Sequence, residues 1–232
     1  MINSKNSLIV EFVGLPGSGK TTLAQRVTER IKTNGYSAIV PTFQHHYITR
    51  YTYAFLFFFR NPISNTKIIS SILKSKQRSI NDFRAVVINL FYKCEIHYRC
   101  STINGVHILE EGIIHALFSI LYSSKNQDVL KHLMRDTLYP FHLDFIFLVT
   151  AEPNTVIERL LDRGTSRLEK DIRYLRSDEQ LAVIDDAVRT YQEIIKKVNN
   201  KINLYHFVNN SDLDLHHNTM AITNRIISKI IK

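Results

Sequence analysis

Residues 8–22 read LIVEFVGLPGSGKTT, a short apolar strand candidate, Leu8–Val13, running straight into a glycine-rich turn. The spacing G-x-x-x-x-G-K-[ST] is met by Gly14, Gly19, Lys20 and Thr21. At average residue frequencies such a match arises by chance in about one chain of this length in a hundred. Its flanks sharpen it, because a phosphate-holding loop must lie between a strand and a helix. Glycines let backbone N–H groups turn inward around phosphate oxygens, and the helix N-terminus adds partial positive charge. In such a loop Lys20 reaches the β- and γ-phosphates and the Thr21 hydroxyl ligates Mg²⁺. The nucleotide grip expected here comprises Gly14, Pro16, Gly17, Ser18, Gly19, Lys20, Thr21 and Thr22.

Further strand candidates are short apolar runs at wide spacing: Ala38–Val40, Val106–Leu109, Phe145–Val149 and Leu204–Val208. Helical patterns fill the gaps. Thr21–Thr33 carries Leu23, Val27 and Ile31 on one stripe, and Asn81–Cys100 carries Val87, Leu90, Phe91 and Cys94. Asn154–Arg163 and Asp178–Val198 follow, and a last helix runs from near Leu213 toward Lys232. Strands apolar on both sides, alternating with helices, imply an α/β fold with a parallel sheet covered on both faces. Nothing in composition splits residues 1–232 into two domains. Residues 42–80 follow no clear pattern; the adjacent His45 and His46 lack an acidic or thiol partner at ligand spacing and are expected on the surface or the substrate side. Within that segment Ala54–Phe59 reads as a core helix piece, too short to span a bilayer.

Hydrophobic content of 44% and charged content of 22% suit a soluble globular chain of 232 residues, while a net charge of +9 favours anionic ligands or surfaces. Cys94 and Cys100 form neither a zinc spacing nor a disulfide framework, and Met1–Lys5 holds no signal-peptide core, so a cytoplasmic setting is expected.

Two later stretches point to what becomes of the phosphate. Val106–Leu109 ends in Glu110-Glu111-Gly112, and strand C-termini line the ligand crevice of a parallel sheet. Carboxylates there hold Mg²⁺ or accept a proton from an acceptor hydroxyl, with Glu110 favoured over Glu111 for the inward role. Phe145–Val149 leads through Pro153 into a helix bearing Arg159 and Arg163 on one face, with Arg167 beyond the Gly164-Thr165-Ser166 break. Arginines on a flap of about 159–176 can close over a triphosphate. No N-K-x-D base-reading motif follows the last strand, which leads into Asn209-Asn210-Ser211-Asp212, and no H-R-D or D-F-G set is present.

This ordered set resembles the nucleoside and nucleotide kinases of the P-loop class, most closely thymidylate kinase-like proteins. The matching pieces are Val10–Thr22, Leu109-Glu110-Glu111-Gly112 and Arg159-Leu160-Leu161-Asp162-Arg163. The resemblance implies a five-stranded parallel sheet, an arginine-bearing lid, ATP as phosphoryl donor with Mg²⁺, and adenine near a lid arginine and the loop that includes Asn210. It departs at Pro16, where thymidylate kinases usually carry Asp. It departs also at Glu110-Glu111, in place of an Asp-Arg pair, and at Val40-Pro41-Thr42-Phe43-Gln44, in place of an Arg-Glu-Pro stretch. The acceptor therefore does not carry over. Arg60, Tyr98 and Arg99 are the acceptor-side candidates by residue type. The expectation is a kinase acting on a small nucleoside, nucleotide or sugar-like acceptor; an NTPase switch or assembly factor and a nucleic-acid-end kinase are the alternatives. An anionic membrane contact through Phe55–Arg60 and a homodimer are further partner options, and nucleic acid is disfavoured for want of a binding motif.

Overall fold

Five strands, all parallel, form one sheet in the order β2-β3-β1-β4-β5. They are β1 (Ser7–Val13), β2 (Ala38–Ile39), β3 (Gly105–Leu109), β4 (Phe145–Thr150) and β5 (Asn203–Val208). The computed structural model describes residues 7–41, 47–126, 133, 141–164, 167–198 and 202–231; His45 and His46 lie outside these. Nine helices lie among the described residues: α1 (Lys20–Thr33), α2 (Tyr47–Arg60), α3 (Pro62–Lys74), α4 (Ile80–Thr102), α5 (Ile113–Tyr122), α6 (Pro153–Arg163), α7 (Arg167–Ile172), α8 (Ser177–Lys197) and α9 (Asp212–Ile230).

The two-residue period of β1 sorts its side chains onto two cores. Val10 and Phe12 face α1 and α9, with Phe147 packed against Phe12 at 5.3 Å between ring centroids. Ile9 and Val13 face the other core, built from α2 to α8. Glu11 lies between them in the strand, fully buried.

The unpatterned segment resolves into two helices. Asn61 and Pro62 separate them: the Asn61 side chain accepts from the Ser64 N–H at 3.3 Å, and proline suits the first turn of α3. Buried Asn65 then ties the corner, donating to the carbonyls of Phe57 and Phe58 at 2.9 and 3.1 Å. The expected core piece Ala54–Phe59 divides: Ala54, Phe57 and Phe58 pack inward, whereas Phe55, Leu56 and Phe59 are exposed. A helix packed against one layer of neighbours buries one stripe and leaves the opposite side exposed. β5 also differs from a strand apolar and covered on both faces. As the sheet edge it packs Tyr205 and Phe207 inward and leaves Leu204 and Val208 exposed.

Because every strand runs the same way, the segments after β1, β3, β4 and β5 emerge along one edge of the sheet. Successive connections leave β1 in opposite directions, toward β2 and β3 on one side and β4 and β5 on the other. In parallel sheets such a switch point opens a crevice at the strand C-termini.

Candidate active site

The turn from β1 into α1 is held in a shape few residues allow. Gly17 has φ +87°, and a Cβ there would stand 3.0 Å from the Val156 carbonyl oxygen. Gly19 has φ +84°, and a Cβ there would collide with the Asn209 amide, which donates to the Ser18 carbonyl at 3.1 Å. Both positions therefore need glycine, for backbone conformation and for space. Ser18 Oγ is buried and has no hydrogen-bond partner among the described residues. A polar atom orphaned in a glycine cradle at a helix N-terminus is what a phosphate oxygen would satisfy. Lys20 is almost wholly buried, and its Nζ donates to the Leu15 carbonyl at 3.4 Å, folding back across the turn. Pro16 is half-buried within the turn, and Thr22 is exposed on α1.

Opposite this turn, β3 delivers Glu110 and Glu111. Glu110 is half-buried, with the Thr21 hydroxyl and Lys20 near enough to act on its carboxyl. Burial pushes its carboxyl above the usual range; the Thr21 hydroxyl opposes this, Glu111 adds to it, and Lys20 and Lys93 oppose it again. Glu111 behaves in the opposite way. Burial would raise it, but His115, protonated at the low pH where Glu111 titrates, together with Lys93 and Lys20 outweighs that and holds it at about 2. Its carboxylate pairs with Lys93 Nζ at 3.4 Å. The two adjacent acids are thus driven apart: Glu111 stays a fixed anion and Glu110 has the greater proton affinity.

Beneath them lies a buried network that residue patterns alone did not single out. Glu11 sits under Gly112; its Oε1 accepts from the His115 N–H at 3.2 Å, while its Oε2 is buried with no hydrogen-bond partner among the described residues. It thereby occupies the N-terminus of α5, where partial positive charge favours an anion. Burial nonetheless raises its pKa to about 7, against the His115 N–H and the charge of Lys93. Lys93 is lowered to about 8 by burial, despite Glu111 and Glu11, and Arg50 lowers it further. His115 is lowered to about 4 by burial, so the ring is neutral at pH 7, and Nδ1 meets the Tyr191 hydroxyl at 2.7 Å. Tyr191 is fully buried and carries this contact on to α8. Two signals were available: an acid within the apolar run Leu8–Val13, and a lysine on the stripe that carries Leu90 and Cys94.

Arg159, on the segment after β4, joins those after β1 and β5. It donates to the carbonyls of Gly17 at 3.1 Å, Asn209 at 3.3 Å and Asn210 at 3.4 Å. Asn210 accepts from the Glu152 N–H at 2.8 Å and donates to the Glu152 carboxylate at 3.2 Å. A cavity of about 350 Å³ opens here, lined by Gly19, Thr22, Arg159, Asn210 and Asp212 among others. The backbones of Arg163 and Arg167 belong to α6 and α7, and their side chains lie outside the described residues.

The acceptor-side candidates are placed differently. Arg60 makes a two-pronged pair with buried Glu95 at 2.8 and 2.9 Å and lies over the Tyr98 ring at 3.9 Å. Arg99 bonds the same carboxylate at 2.9 Å and covers Tyr53 at 4.2 Å. These three residues fasten α2 to α4. A separate cleft of about 290 Å³ between the same helices is lined by Arg50, Tyr51, Asn81, Arg84 and Asn89. Arg50 Nε is buried there without a hydrogen-bond partner among the described residues.

A parallel sheet with this strand order, a glycine-rich phosphate turn after β1 and acids after β3 define the P-loop nucleotide-kinase fold. Solved structures carry the same fold across nearly the whole chain. A deoxyadenosine kinase from M. mycoides, solved with dCMP and a flexible dCDP bound as products, superposes with a TM-score of 0.57 at 14% identity, covering 95% of this chain and 100% of that one. The thymidylate kinase of Candida albicans gives 0.58 at 15% identity, covering 97% of this chain and 92% of that one. That of Ehrlichia chaffeensis gives 0.54 at 13%, covering 95% and 99%. No protein-family model and no curated protein sequence matches the chain.

Proposed function

We propose that this protein is an ATP-dependent phosphotransferase that moves the γ-phosphoryl group of ATP to a small acceptor of the nucleoside or nucleotide class. The observation that carries this is the glycine cradle at the start of α1, with the Ser18 Oγ orphaned and Lys20 buried in it and the carboxylate of Glu110 following β3 at the same edge of the sheet. The turn binds the triphosphate through backbone N–H groups, Ser18 and Lys20. Thr21 is the hydroxyl donor that fits Mg²⁺, and the ion would supply neutralisation of phosphate charge. Arg159 spans the turn and the Asn209–Asn210 loop beside the cavity of about 350 Å³, which supports a reading in which the adenine end would lie there.

An acceptor hydroxyl reaching Glu110 gives up its proton to that carboxylate as its oxygen bonds to the γ-phosphorus. The bond from that phosphorus to the bridging oxygen breaks, and ADP leaves with the electron pair. Glu111 remains ionised and keeps Lys93 charged beside the site. The α2–α4 cleft suits the acceptor, since Arg50 and Arg84 meet an anionic group and Tyr51 a planar one. The likeness to enzymes solved as deoxyadenosine and thymidylate kinases supports a nucleoside or nucleotide acceptor.

ADP formation with a panel of nucleosides, nucleoside monophosphates and sugar phosphates tests this. At least one acceptor should raise the rate well above that with water alone. Equal rates with and without every acceptor would make the protein a hydrolase or a switch instead.

A further inference from the structure

Residues 47–78 contain six basic side chains (Arg50, Arg60, Lys67, Lys74, Lys76 and Arg78) and no Asp or Glu. They form α2, α3 and the turn after α3, and their outward sides are apolar as well as basic. On α2 the outward stripe runs Ile48, Thr52, Phe55, Phe59, at helical spacing, with Ile48 80%, Phe55 63% and Phe59 58% exposed. The Phe55 and Phe59 rings lie 4.5 Å apart, a surface pair with no layer above it among the described residues. On α3 the stripe runs Ile63, Lys67, Ser70, Lys74, and Ile63 is 77% exposed. Arg60 is held by Glu95 and Arg78 by Asp171, but Lys67, Lys74 and Lys76 are in no ion pair among the described residues.

We infer that the outward face of α2 and α3 docks on an anionic lipid surface. Exposed apolar side chains interleaved with unpaired lysines, on helices free of acids, match a bilayer interface in both respects. The apolar groups enter the headgroup–acyl boundary and the lysines meet lipid phosphates. A second copy of the chain fits less well. A two-fold contact sets a patch against itself, which brings these lysines together with no acid in the segment to pair with them. No helix among the described residues is long and apolar enough to cross a membrane, so the contact is peripheral. The inference stands independently of the phosphotransfer chemistry, because none of the stripe residues lines the phosphate turn.

The test is co-sedimentation of the full chain with phosphatidylcholine vesicles and with vesicles of equal parts phosphatidylcholine and phosphatidylglycerol. Binding is expected to the anionic vesicles alone and to weaken with salt. Each lysine at such a surface contributes about fivefold, so Lys67→Gln with Lys74→Gln should lower partitioning roughly 30-fold. Phe55→Ser with Phe59→Ser should lower it by about an order of magnitude or more. Both pairs are exposed, and unchanged melting temperatures and Mg-ATP binding show that neither variant has lost its fold. Absence of binding to anionic vesicles, equal binding to neutral ones, or binding that survives both double variants overturns the inference. A dimer in sedimentation velocity that dissolves on Phe55→Ser with Phe59→Ser would give the face to a second copy.

Discussion

Replacing Glu11 by glutamine should reshape the pH dependence of stability. Glu11 is fully buried, and burial raises its pKa from 4.5 to about 7. Below pH 4.5 the carboxyl is protonated in both folded and unfolded chains, so it carries no charge penalty. As pH rises, the unfolded chain releases its proton first, and folding loses stability until the folded carboxyl has also ionised near pH 7. The loss over that window is about 3 kcal/mol. Glutamine keeps the shape and an acceptor for the His115 N–H but cannot ionise. Relative to Glu11→Gln, the parent protein should therefore lose about 3 kcal/mol between pH 4.5 and pH 7. His97 and His115, both lowered to about 4 by burial, work in the opposite sense, since stability falls as pH drops from 6.5 toward 4. They are common to both proteins and cancel in the difference. Lys93, near 8, titrates above the window. Urea unfolding of the two proteins at half-unit pH steps measures this directly. Parallel stability profiles would refute a charged or titrating Glu11 beneath Gly112.

Three other variants probe the edge of the sheet. Gly17→Ala forces a Cβ to within 3.0 Å of the Val156 oxygen at φ +87°; it should cost about 1–3 kcal/mol in thermal or urea unfolding and abolish detectable ATP binding by calorimetry. Arg159→Lys keeps the charge but loses the fork that reaches the Gly17 and Asn209 carbonyls, so ATP affinity should fall roughly tenfold with little change in melting temperature. Glu110→Gln should lower kcat on the order of 10²-fold or more and remove the rise of kcat/KM with pH that the raised Glu110 pKa produces, again without destabilising the chain.

The phosphate turn was legible because its chemistry is local: the glycines, Lys20 and Thr21 must be consecutive to build the cradle. The five strands were legible because each is a compact apolar run. The network below Gly112 was not, because Glu11, Lys93, His115 and Tyr191 are far apart in the chain and meet only when α4, α5 and α8 cover one face of the sheet. Arg60, Tyr98 and Arg99 stood out as residue types that recognise anions and bases. What residue type could not reveal is that Glu95, four residues before Arg99, engages both arginines from inside the helix pair. Residues 42–80 were unreadable for a related reason. Aromatic side chains on both sides of α2 conceal its helical period, and only Asn61-Pro62 marks where one helix stops and the next begins. Leu204–Val208 read as covered on both faces because composition alone cannot place a strand at the edge of a sheet.

Direct observation of the phosphate's destination tests the central claim. In ³¹P NMR of Mg-ATP turnover with the acceptor panel, the account predicts ADP together with a new phosphomonoester or diphosphate resonance on one acceptor, both absent with Lys20→Ala. ADP accompanied only by inorganic phosphate, whichever acceptor is present, would contradict it.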